Sequence, residues 1–219
     1  MFVVLMGPPG AGKGTQAEKL CKEFGLIHIA TGDIFRNAVK EGTEMGIKAK
    51  AYMDKGELVP DEIVLGIVKE RLSKADCAAG VILDGFPRTI EQAEALDEVL
   101  EDLKMKINMV IIIDIKEDEI ISRLTGRRVC SNCGATYHIK FNPPKVRNIC
   151  DHCSGELQQR SDDTIETVKE RINIYNRQIP PLLDYYVQKG LFQKANGSNL
   201  IERVFEEIDS YLQKKVYTE

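Results

Sequence analysis

Residues 7–15 read Gly-Pro-Pro-Gly-Ala-Gly-Lys-Gly-Thr, a composition suited to holding phosphate. Four residues separate Gly7 from Gly12, Lys13 follows at once, and Gly14 stands between the lysine and the hydroxyl of Thr15. Glycines here let backbone N–H groups turn inward around an anion, and a helix opening at the lysine adds positive potential. Lys13 would reach the terminal phosphates of a nucleotide as a mobile point charge. The competing reading is a flexible glycine turn between a strand and a helix.

A second constellation is made of thiols. Cys130, Cys133, Cys150 and Cys153 form C-x₂-C-x₁₆-C-x₂-C, the spacing of a tetrahedral zinc site. Four thiolates leave no place for an activated water, so the expected Zn²⁺ is structural and replaces the core that a small polar segment lacks. Iron accepts the same ligands, and reduced or disulfide-linked thiols are the remaining alternative. His152 reads as a bystander, and Cys21 and Cys77 as buried packing residues. Asp84 ends an apolar run, where a carboxylate near a metal-bound nucleotide would sit. A capping or turn aspartate before Gly85 fits that position equally well.

The elements that position these groups alternate. Phe2–Met6 reads as a buried strand entering the glycine-rich loop, and further apolar runs of strand length lie at 26–29, 81–83, 109–113 and 191–192. Between them are helical periodicities at 34–41, 61–72, 89–103, 117–124, 164–178 and 200–212. Strands apolar throughout and separated by helices predict an α/β fold, a parallel sheet covered by helices on both faces. Pro180-Pro181 should break the helix that starts at 164, because neither ring supplies an amide hydrogen. Residues 31–59 and 126–163 do not fit the alternation and read as insertions, the first helical, the second rich in Cys, Gly, Asn and Pro.

With 219 residues, 43% hydrophobic and 29% charged, the chain can bury a substantial core. A net charge of -4 argues against a general nucleic-acid footprint. No signal peptide and no membrane-length apolar run is seen, so the expected location is the cytoplasm, without membrane association. No spare apolar face stands out, which points to a monomer.

Taken together, several segments resemble adenylate kinases, nucleoside monophosphate kinases of the type with a long zinc-binding lid. They are the glycine-rich loop, Thr31-Gly32-Asp33 through Arg36, residues 55–60, Asp84-Gly85-Phe86-Pro87-Arg88 with Gln92, Arg123, Gly126-Arg127-Arg128, Tyr137-His138, residues 160–163 and Arg171. The resemblance implies a P-loop core at 1–30, 60–125 and 164–219, an AMP-binding insertion at 31–59 and a zinc-ribbon-like lid at 126–163. It implies that Gly10, Ala11, Gly12, Lys13, Gly14, Thr15, Arg123, Arg127, Thr136, Tyr137 and the backbone of Asn199 face ATP. Thr31, Arg36, Glu57, Leu58, Val59, Gly85, Phe86, Pro87, Arg88 and Gln92 would bind AMP, with Arg160 and Arg171 bridging the two phosphate chains. The catalytic set would be Lys13, Arg36, Arg88, Arg123, Arg160 and Arg171, with Asp84, and Asp33 as a second candidate, ordering the waters of Mg²⁺. The implied reaction is reversible transfer from Mg·ATP to AMP, giving two ADP.

Plainer readings exist for some of these residues. Thr89 through Gln92 makes a capping box, with the Gln92 side chain returning to the Thr89 amide. Asp33 fits a helix cap, and Arg127-Arg128 a solvated pair. The nearer alternative function is a kinase for UMP, CMP or GMP. The more distant one is a zinc-ribbon nucleic-acid-binding ATPase, suggested by seven basic residues against two acids over 123–160.

Overall fold

The apolar runs become strands and the periodic stretches become helices. In the computed structural model, which describes residues 1–216, the strands are β1 Phe2–Met6, β2 Ile27–Ala30, β3 Val81–Asp84, β4 Met109–Asp114, β5 Arg127–Cys130, β6 Thr136–His138, β7 Leu157–Gln158 and β8 Phe192–Asn196. The helices are α1 Lys13–Phe24, α2 Thr31–Glu41, α3 Glu44–Met53, α4 Asp61–Leu72, α5 Ile90–Asp102, α6 Glu117–Thr125, α7 Ile165–Gln188 and α8 Ile201–Val216. A parallel sheet runs β2-β3-β1-β4-β8. Side chains alternate across it: Phe2, Val4 and Met6 join one core with Leu83, Leu96 and Leu182. Val3 and Leu5 join the other with Ile82, Leu20 and Ile208. Both faces are thereby covered, as a parallel sheet requires.

Register decides where chemistry can happen. Leu5 pairs with Asp84 and Met6 with Ile112, so the carboxyl ends of β1, β3 and β4 lie side by side. Open α/β sheets bind ligands along that edge. From it project the two segments that broke the alternation. Residues 31–59 hold α2 and α3, joined where Thr43 caps α3 by accepting from Gly46 N at 3.1 Å. A Cβ on Gly46 would stand 2.2 Å from the Ala38 carbonyl oxygen, so only glycine permits this approach. Residues 126–163 contain a separate antiparallel sheet, β6-β5-β7. Its buried apolar core consists of Cys130, Tyr137, Cys150 and Leu157 among the described residues.

Three differences from the sequence reading have physical causes. The pair Pro180-Pro181 does not break α7, which runs on to Gln188. The prolines are exposed, and so are Asn176 and Arg177, whose carbonyls lose their partners and face water instead. Meanwhile the buried stripe Val168, Ile172, Ile179, Leu182, Tyr186 continues without interruption. α2 starts at Thr31, directly after β2, rather than at 34. β8 extends to Asn196 through exposed Gln193 and Lys194, because it is an edge strand paired only with β4. The last three positions assigned to the core lie outside the described residues. No helix among the described residues is long and apolar enough to cross a membrane.

Candidate active site

β1 feeds the glycine-rich loop into α1. A Cβ on Gly7, at φ 144°, would lie 2.4 Å from the Ile113 carbonyl oxygen, so the loop can hug β4 only without a side chain there. α1 begins at Lys13, and the amides of its first turn have no intrahelical acceptor. The Lys13 ammonium is folded back on the loop, donating to Gly7 O at 2.9 Å and Pro8 O at 3.1 Å. Burial, opposed by Asp84 but reinforced by Arg88, Arg171 and Arg127, pushes its pKa down to about 8. Asp84 caps no helix. Its carboxylate faces α1, 3.9 Å from where a Gly14 Cβ would sit, and lies 3.5 Å from His28 Nε2. Burial would lower the His28 pKa, yet the charges of Asp84, Asp33 and Glu18 raise it overall.

Around the loop converge guanidinium groups from distant parts of the chain. Arg88 donates Nε to Gly85 O at 2.8 Å. Arg171, on α7, reaches Asp162 Oδ2 at 3.0 Å, and Arg127, on β5, forms a bidentate pair with the fully buried Asp163 at 2.5 and 2.8 Å. Asp33 Oδ1 serves Arg36 at 2.5 Å and Arg160 at 3.3 Å, so it does not cap α2, whose cap is Ala30. Arg127 and Arg128 are not a solvated pair, since Arg128 donates to the Thr125 and Arg127 carbonyls. Burial, then repulsion from Arg127 and Arg36, pushes Arg160 down to about 9, and burial also brings Arg171 to about 10. Guanidiniums stay charged at neutral pH. Burial is the main cause of their depression, and the neighbouring guanidiniums add to it.

Two clefts, each about 610 Å³, meet at Gly56, Leu58, Gly85, Arg88 and Arg171. One is walled by Thr31, Arg36, Glu57, Leu58, Val59 and Gln92. The other opens on Lys13 and Pro87 and ends at Tyr175. Thr31 Oγ1 donates to Gly85 O at 3.2 Å, tying α2 to the turn after β3. Phe86 does not face either cleft; its ring is buried with Leu83 and Leu96, leaving only its backbone for a ligand. Gln92 does not close a capping box on Thr89. Thr89 does cap α5, but the Gln92 oxygen accepts from Arg88 N at 2.7 Å, one residue earlier, and its nitrogen donates to Asp61 at 2.6 Å.

Beyond the loop, Arg123 donates to Gly197 O at 2.8 Å and Glu119 at 3.1 Å. Its guanidinium carbon lies 6.0 Å from the Phe141 ring, which packs on His138 at 4.5 Å. Arg123 thus joins the ring pair to the loop that carries Gly197 and Asn199. Thr136 is half-buried on β6, whereas the Tyr137 side chain turns into the small sheet and accepts from Asp151 N at 2.8 Å. Glu119, Phe141 and Asp61 were missed in the sequence, and His138 was marked there only as part of the segment Tyr137-His138.

The four sulfurs of Cys130, Cys133, Cys150 and Cys153 all lie within 4.8 Å of one another. The Cys130–Cys153 and Cys133–Cys150 separations are 3.5 Å, close to the edge of about 3.8 Å that a tetrahedron with 2.3 Å zinc–sulfur bonds requires. The donor set therefore fits Zn²⁺. Cys77 is buried as expected, but Cys21 is only half-buried.

A strand–loop–helix phosphate cradle, facing a ring of guanidiniums and joining two clefts, defines a P-loop phosphotransferase with two substrates. The family model for adenylate kinase matches residues 5–191. The adenylate kinase of Carboxydothermus hydrogenoformans is 60% identical over 98% of this chain and 100% of its own length. That of Archaeoglobus fulgidus is 55% identical over 98% and 99%, and that of a Geobacillus species 56% over 97% and 98%. The chain belongs to the adenylate kinase family, and its reaction is phosphoryl transfer between ATP and AMP.

Proposed function

We propose that the Arg36–Gln92 cleft takes AMP, that Arg123 and the glycine-rich loop hold ATP, and that transfer occurs where the two clefts meet at Arg88 and Arg171. Residues 31–59 then act as the AMP arm and 126–163 as a lid on the remaining core. The observation that carries this reading is the convergence of Lys13, Arg36, Arg88 and Arg171 on the walls of two clefts that meet. Two phosphate chains brought together supply the anions for these groups. The attacking oxygen belongs to an AMP phosphate already anionic at neutral pH, so no general base is needed. Lys13 and the arginines align donor and acceptor and stabilise charge on the transferring group. Mg²⁺ bound with ATP would offset phosphate charge, and Asp84 would hold its waters. Zn²⁺ at the four cysteines stabilises the lid. Closure excludes water, the competing acceptor.

Of the seven basic residues over 123–160, Arg123, Arg127, Arg128 and Arg160 are engaged by the protein's own carbonyls and carboxylates. That favours small phosphates over a polynucleotide as the ligand. Both nucleotide sites lie on one chain, which supports a monomer as the working unit, and gathered reduced thiols suit the cytoplasm.

Nucleotide binding to two variants tests the site assignment. Arg36→Ala should weaken AMP about tenfold and spare ATP, whereas Arg123→Ala should do the reverse. Exchanged effects would overturn the assignment. With the parent protein and Mg·ATP, ADP production should favour AMP over UMP, CMP and GMP.

A further inference from the structure

Gln92 is only 2% exposed and lies in the wall of the cleft beside Thr31 and Val59. Both ends of its amide are held. Oε1 accepts from the Arg88 backbone N–H at 2.7 Å, and Nε2 donates to Asp61 Oδ1 at 2.6 Å. Thr89 closes the ring, its hydroxyl accepting from Gln92 N at 3.1 Å and donating to Asp61 Oδ2 at 3.4 Å. A backbone N–H can only donate, and an ionised carboxylate can only accept. A flipped Gln92 would set N–H against N–H at Arg88 and oxygen against oxygen at Asp61. Orientation is therefore fixed along with position.

Each end of the amide retains one hydrogen-bonding capacity, a lone pair on Oε1 and an N–H on Nε2. Side by side, these match adenine, whose amino group donates while the neighbouring ring nitrogen accepts. A 6-oxopurine presents a carbonyl and a ring N–H on its Watson–Crick edge and needs the opposite order. We propose that Asp61 is a specificity-determining positioning residue: by locking the Gln92 amide against rotation, it makes the acceptor cleft select adenine over 6-oxopurines. The inference rests on the reading that this cleft takes the AMP base.

The probe is IMP, which carries the 6-oxopurine edge without the extra amino group of GMP. Acceptor kinetics are compared for the parent, Asp61→Asn, Asp61→Ala and Gln92→Ala, at saturating Mg·ATP, with thermal unfolding measured alongside. An asparagine can turn either end toward Gln92 and an alanine offers it nothing, so the amide keeps only the Arg88 N–H to hold it and half of the lock opens. The AMP-to-IMP ratio of kcat/KM should fall about tenfold or more in both Asp61 variants, mainly through a higher KM for AMP. Asp61 also begins α4, where its charge favours the helix. If the variants melt lower but keep the parent's ratio, Asp61 is only a helix-start residue and the proposal is overturned. If Gln92→Ala leaves the KM for AMP unchanged, the base does not meet Gln92, and the assignment of the cleft fails along with the lock. A Gln92→Ala effect without an Asp61 effect rejects the lock alone.

Discussion

Arg88 stands where the clefts meet, with no carboxylate paired to it among the described residues. Burial, offset by Asp84 and reinforced by Arg36, lowers its pKa, so its charge is a strain on the empty fold and an asset only to a phosphate. Arg88→Ala should lower kcat about 10²- to 10³-fold while thermal unfolding holds or rises; steady-state kinetics and a melting curve would check both, and unchanged kinetics would remove it from the site. Lys13 gives a pH expectation. With a pKa near 8, it loses its charge as pH rises through that value, and the charged form is the one that binds phosphate. The kcat/KM for ATP should therefore fall above about pH 8 in the free enzyme's profile, and a profile flat to pH 10 would show that Lys13 does not contribute. Lys13 and the cysteines were legible in the sequence because their spacing is local. Asp61 was not, because it acts on a residue brought near only by folding: Gln92 lies 31 positions away.

Among the elements, the strands of the parallel sheet could be read directly because runs buried on both faces are apolar at every position. α7 shows the opposite case. A local rule stops it at Pro180, but packing of Leu182 and Tyr186, both fully buried, carries it on, since the lost hydrogen bonds fall on the wet side. The sheet of β5, β6 and β7 was illegible because its strands are two to four residues long and have almost no apolar pattern. Four buried side chains, two of them cysteines, are too small a core to hold it. Stripping the metal with a strong chelator under reducing conditions should thus abolish amide exchange protection across residues 127–158, leave the parallel sheet protected, and lower the melting temperature. If those amides stay protected in metal-free protein, the cysteine site is not what folds the segment.

At the scale of the molecule, the two projecting segments touch each other across the cleft. Arg160 meets Asp33 at 3.3 Å, and Lys40, on α2, donates to the Ser131 carbonyl between the first two cysteines at 3.1 Å. Both contacts join parts of the chain about ninety or more positions apart and exist only while the segments are drawn together. Arg160 is also proposed to bridge the phosphates, so its loss cannot isolate closure; Lys40 lines neither cleft. An exposed hydrogen bond of this kind contributes little, about 0.2–1 kcal/mol, but closure is a balance between states that small terms can shift. Lys40→Met should favour the open form, raise the KM for both nucleotides about two- to threefold, and leave kcat equal or higher where opening limits product release. A weaker seal should also admit water, so hydrolysis of ATP without AMP should rise relative to transfer. Distances between labels on α2 and β6 would report the shift directly. Parent-like distances and KM values would mean that the contact forms after closure without helping to hold it.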